Sequence, residues 1–198
     1  MTGATSKAGP RVGSKPSVAR ERILATASRL FYAVGIRAVG VDRVIAESQV
    51  ARMTFFRHFP TKDDLVVAFL ARRVELAEAE LAQLRADAGD DWPRALLGWV
   101  ADGVTTARGT EGFRGCEFIN TAAEFSDPSH PVRAIAARHR AWIRDQMQEA
   151  LVALGHPAPA LTAQHLLMLR TAAVVAASLE GFDDDEGTFA RTWWSLIA

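Results

Sequence analysis

Residues 35–59, read GIRAVGVDRVIAESQVARMTFFRHF, constrain the fold of this chain more than any other stretch. One short helical pattern runs from about Val41 to Glu47, with Val44 and Ile45 facing inward. A second runs from about Arg52 to His58 and places Phe55 and Phe59 four residues apart. Two helices this short, separated by a tight break, must pack across a turn. The spacing suits a helix-turn-helix whose second helix enters the major groove of DNA.

The flanking segments extend the helical reading. Ile23, Ala27, Leu30, Phe31 and Val34 recur at spacings of three and four, which predicts a helix from about Ser17 to Val34 ending at a Gly35 cap. After Pro60, Thr61 with Asp64 forms a capping-box pattern at the head of a long helix, roughly Lys62 to Arg85. Further helices are expected at Trp92–Arg108, Glu117–Glu124, Val132–Leu154, Leu161–Glu180 and Glu186–Leu196, with Gly- and Pro-containing breaks between them. No Val/Thr-rich alternation argues for a strand. The expected fold class is all-α, an N-terminal three-helix helix-turn-helix domain joined to a larger helical domain. The expected divisions are a disordered basic arm over 1–17, the helix-turn-helix domain over 18–62 and the larger domain over 63–198.

Charge is segregated along the chain, although it sums to zero. Met1 to Lys62 holds 11 Lys and Arg against 3 Asp and Glu, whereas Asp63 to Ala198 holds 12 against 20. A basic first third fits a polyanion partner, because each neutralised phosphate releases counterions. The acidic remainder would be repelled by DNA and is expected to face away from it. The single cysteine, Cys116, excludes an intramolecular disulfide and fits a reducing cytoplasm. No unbroken apolar run reaches the ~18 residues of a membrane helix, and the N-terminal stretch does not read as a secretory signal.

A recognition helix needs polar residues towards the base edges and an apolar back. Arg52 and Thr54 suit the first role, Phe55 and Phe59 the second, and Arg57 and His58 can reach bases or phosphates. Lys62 adds its charge to the free backbone N–H groups of a helix start. Over Arg20–Leu70 the chain resembles the DNA-binding domain of the TetR family of bacterial transcriptional regulators. The resemblance rests on Leu30-Phe31 and Gly35, the block Thr54-Phe55-Phe56-Arg57-His58-Phe59, and the continuation Pro60-Thr61-Lys62-Asp63-Asp64-Leu65.

That resemblance implies DNA contact by Arg43, Arg52, Thr54, Phe56, Arg57, His58 and Lys62, with a double-stranded, palindromic operator as partner. Four positions depart from the family pattern. Gln49 replaces the turn glycine, Ala51 the usual Ser/Thr cap, Phe56 a tyrosine, and Ile45 a small alanine. The resemblance also implies a homodimer, with Leu166, Leu169, Ala173, Val174, Ala177, Phe189, Trp193 and Leu196 of the last two helices as the expected interface. It implies a cavity for a small apolar or amphipathic effector, for which Trp99, Phe113, Cys116, Phe118, Asn120, Glu124, His139, Trp142 and Met147 are the candidate walls.

Other functions fit the residues less well. An enzyme would have to use Cys116, His139 and an acid such as Asp102 or Glu124, yet no catalytic signature surrounds the cysteine. The five histidines lack paired metal-ligand spacing, so neither a metal nor a cofactor is expected. A Cys116-based redox sensor on the same scaffold, and a helical ligand-binding or protein-interaction dimer that has lost operator binding, are the alternatives. The expected function is a ligand-responsive regulator of transcription, most simply a repressor released by its effector.

Overall fold

The computed structural model describes residues 17–108, 112–180 and 187–198. All of the expected basic arm over 1–17 except Ser17, residues 109–111 of one break and the whole of the break at 181–185 therefore lie outside the described residues. Among those residues every regular element is helical: α1 (Val18–Val34), α2 (Val41–Ser48), α3 (Arg52–His58), α4 (Lys62–Ala88), α5 (Trp92–Arg108), α6 (Glu117–Ala123), α7 (Pro131–Ala153), α8 (Pro159–Glu180) and α9 (Thr188–Ser195), with a 3-10 turn at Gly89–Asp91.

Local chemistry explains most of the boundaries. The Ser17 hydroxyl accepts from the Arg20 N–H and starts α1, and Gly35, at φ 91°, ends it by donating its N–H to the Phe31 carbonyl. The capping box at α4 is present, Thr61 accepting from the Asp64 N–H while Asp64 accepts from the Thr61 N–H. At α7 the His130 ring accepts from the Val132 N–H and Pro131 fills the first turn, where a missing N–H costs nothing.

Two apolar cores result. One joins α1–α3 to the first half of α4 through Ile23, Leu30, Phe31, Phe55, Phe59, Leu65, Phe69 and Leu70, and continues into Phe118, Val132 and Ile135 of α6 and α7. Packing therefore does not divide at residue 62. The other lies between α4, α5, α7, α8 and α9, around Leu96, Leu97, Met147, Leu151, Leu166 and Trp193. Each fully buried large side chain of this kind contributes about 1.5–3 kcal/mol. By length and composition α8 is apolar enough to cross a membrane. Counting unbroken apolar runs misses this because Gln164, His165 and Arg170 interrupt the helix.

Candidate functional site

The outer face of α3 presents Arg52, Met53 and Arg57 to solvent, while Phe55 is fully buried beneath them. Met53 is 82% exposed, unusual for so apolar a side chain, and the sequence pattern did not single it out. Arg52 pairs with Asp42 of α2 at 2.5 Å and lies 5.4 Å from the centre of the Phe56 ring. Arg43 is held by Glu47 at 2.8 Å, and Arg29 pairs with the same carboxylate, which keeps Glu47 below the usual carboxylate range. Arg57 makes no ion pair among the described residues. His58 is half-buried and shares a 3.0 Å hydrogen bond with Ser17, so it braces α3 against α1. Thr54 and Phe56 are half-buried beside it. Lys62 sits at the α4 N-terminus, where partial burial pulls its ammonium below the usual lysine range against the charges of Glu124 and Asp63.

Two departures from the family pattern have visible consequences. Gln49 adopts φ 54°, ψ 41°, a left-handed conformation that favours glycine. Arg22 grips its carbonyl and side-chain oxygens at 3.5 and 3.2 Å. Ala51 caps α3 with no side-chain hydrogen bond. Replacing Ala51 by Ser is expected to stabilise the protein by about 1 kcal/mol, and Gln49→Gly by roughly 0.5–1 kcal/mol. For a chain of this size each kilocalorie raises Tm by about 2–4 °C in thermal unfolding.

Above the DNA-binding unit, the C-terminal end of α1 is latched to α6 and the loop before it. Glu124 accepts from the Ile36 N–H at 2.8 Å and the Arg37 N–H at 2.7 Å, and the Arg37 guanidinium donates to the Glu124 carbonyl. The Tyr32 hydroxyl donates to the Gly115 carbonyl and accepts from the Arg114 N–H. Gly35 has to be glycine on two counts: its positive φ, and an added Cβ that would stand 3.2 Å from Glu124 Oε1.

Behind this latch lie two cavities that share Cys116, Phe118, His139, Ile143 and Arg170 as walls. One, of about 370 Å³, is completed by Tyr32, Arg73, Glu117, Trp99, Phe113 and Val174 among others. The other, of about 500 Å³, opens between α6, α7 and α8. Of the candidate effector residues, Trp99, Phe113, Cys116, Phe118 and His139 therefore come together at a cavity. The rest stand elsewhere. Met147 is wholly buried in the second core, and Trp142 stacks on His139 without forming a wall. Asn120 donates to the Arg114 carbonyl, and Glu124 is committed to the latch; both line only a crevice of about 30 Å³. Arg73, paired with Glu117 at 2.5 Å, and Arg170 were not anticipated. A lone cation within the apolar Leu161–Leu179 stretch was the available signal for Arg170.

His139 stacks on Phe118 with ring centres 3.8 Å apart and has its buried Nδ1 without a hydrogen-bond partner. Burial first, then the charges of Arg170 and Arg73, push its pKa down to about 4. The ring is neutral at physiological pH. Because the unfolded chain takes up this proton near the ordinary value of 6.5 and the folded one only near 4, stability falls as pH drops through that window. The Tm of His139→Phe should decline less steeply than that of the unaltered protein between pH 6.5 and pH 4 in parallel thermal scans.

The last two helices turn most of the residues expected at a dimer surface into the protomer's own core. Leu166, Ala173, Val174, Ala177, Phe189 and Trp193 are buried within the protomer, and Leu169 and Leu196 are half-buried against the same core. What α8 leaves outside is a different stripe. Leu161 (57% exposed), Met168 (59%), Val175 and Leu179 (76%) follow one another at intervals of seven, seven and four, with Trp194 of α9 also exposed. Spacing of that kind aligns side chains along one side of a helix.

These features match known proteins. The description of bacterial regulatory proteins of the tetR family fits residues 23–69. A TetR-family transcriptional regulator of Streptomyces coelicolor is 39% identical, and its crystal structure aligns with a TM-score of 0.79 over 90% of this chain and 94% of that one. The HTH-type transcriptional regulator YxaF of Bacillus subtilis is 27% identical over 125 residues, which are 62% of this chain and 65% of YxaF. Reduced E. coli NemR, at 21% identity, shares the fold with a TM-score of 0.79 over 91% of this chain and 97% of its own. On fold and sequence together, this chain belongs to the TetR family of transcriptional regulators.

Proposed function

We propose that this protein is a cytoplasmic, homodimeric transcriptional regulator that binds a palindromic operator and changes its grip when an effector enters the cavities beside α6. The observation that carries this reading is the Glu124 latch, which ties the cavity-bearing side of the molecule to the loop that carries α2 and α3. Arg52, Met53 and Arg57 would face base edges, with Thr54, Phe56 and Lys62 against phosphates. The α8 stripe, with Trp194, would meet its copy across a two-fold axis and set two recognition helices about 34 Å apart, one turn of DNA. An effector shifts that spacing only by preferring one arrangement of the dimer over the other. A repressor released by its effector is the simplest outcome.

The test is selection of bound duplexes from a random pool, followed by titration of the winner at two salt concentrations. A palindromic site whose affinity falls steeply with salt is the expected result. Arg57→Ala should then weaken binding about 5- to 150-fold per half-site and relax preference at the contacted base pair. A pool with no enrichment at low salt would sink the reading and leave a helical dimer with some other use for its cavities.

A further inference from the structure

The two cavities differ in charge, and the difference points to what they hold. Along the α4–α5 side Arg73 is paired with Glu117, and Glu80 and Asp102 stand in walls that Arg170 also reaches. The larger cavity, between α6, α7 and α8, is walled by Arg133, Arg140 and Arg170 with no carboxylate among its lining residues. Arg133 spends itself on the Ala122 and Phe125 carbonyls, and Arg140 on the Thr171 hydroxyl. Arg170 has neither a hydrogen bond nor an ion pair among the described residues, and its Nε is shut off from solvent. A guanidinium donor in that position is costly unless something supplies an acceptor. Beside it the His139 Nδ1 is also buried and unpartnered. The remaining walls, Phe118, Ile119, Ala136, Ala137, Ile143 and Leu167, are apolar.

We infer that the effector is an amphipathic organic acid whose carboxylate seats on Arg170 and whose apolar body lies against Phe118, Ile119 and Leu167. Arg is suited to this because its planar fork meets both carboxylate oxygens at once. Neutral His139 adds a polar contact without adding a competing anion. A volume of about 500 Å³ suits a single small or medium-sized organic molecule. A cation would meet three arginines and no counter-charge. This inference rests on the cavities being the effector site.

Calorimetry on the full chain with matched pairs tests it, using octanoate against 1-octanol for an aliphatic body and 1-naphthylacetate against 1-naphthylacetamide for an aromatic one. At least one acid should bind about tenfold or more tightly than its neutral partner. In Arg170→Met that preference should fall below about threefold, with the neutral partner's affinity retained as the control for an intact cavity, and Arg170→Lys should restore part of it. Equal affinity within both pairs, no acid bound at millimolar concentration, or a preference that survives Arg170→Met would each overturn the inference. Operator titration separates it from the functional reading. An acid that binds through Arg170 without altering operator affinity upholds the ligand class and removes the proposed coupling, whereas release by the neutral partners alone does the reverse.

Discussion

The double substitution Met168→Glu with Leu179→Glu is expected to yield a folded monomer that has lost its operator. Both side chains stand mostly in solvent, so charging them costs the protomer little. In a dimer built on the α8 stripe the same positions would be desolvated, which is costly for an added carboxylate. A monomer neutralises half the phosphates and reads one half-site, so operator affinity should fall roughly a thousandfold or more. Light scattering reports the mass and titration of the selected duplex the affinity, while helical content by circular dichroism stays unchanged. Trp193→Ala is the contrasting case. Its indole is fully buried in the protomer's own core, so it should cost about 3–5 kcal/mol of stability before it affects assembly. If the doubly charged variant remains dimeric, the outer stripe of α8 is not the interface.

That contrast also shows where the sequence was legible. The bounds of α3 and α5 follow from periodicity and breakers, and the caps of α1 and α4 from Ser17, Gly35, Thr61 and Asp64. These are local signals, settled within a turn or two of chain. α8 is apolar on two sides, and periodicity reports that a face is apolar without saying what covers it. Leu166, Ala173 and Val174 lie inside the protomer, while Leu161 and Met168 hold the outer position, and both sets give the same pattern. Glu124 reads as a candidate cavity wall from its place among the middle helices. Its partners, Ile36 and Arg37, lie more than eighty residues away in sequence and close to it only in space. The unpartnered Nε of Arg170 is likewise a property of packed helices, invisible to local pattern.

Glu124→Ala should cut the communication between cavity and DNA-reading unit while leaving both ends in place. Glu124 lines neither large cavity, so acid binding measured by calorimetry should be unchanged. The variant removes the acceptor of two backbone N–H groups, each a charge-assisted bond of 2.7–2.8 Å, the one to Ile36 part-buried and the one to Arg37 exposed. Loss of that pair should lower stability by about 2–4 kcal/mol and Tm by roughly 4–16 °C. Amide exchange at Ile36 and Arg37 should accelerate selectively, since no other acceptor among the described residues takes their protons. Operator affinity without effector should then change little, and the shift on adding a bound acid should shrink towards none. Gly35→Ala attacks the same junction from the other side, forcing a Cβ to 3.2 Å from Glu124 Oε1 at a φ of 91°, and should reproduce the uncoupling. Glu124→Gln, which keeps one acceptor oxygen, should fall between. Full effector response in Glu124→Ala would mean that the signal travels through α4 alone, by its packing against α1 and α7, and that the latch merely holds two units together.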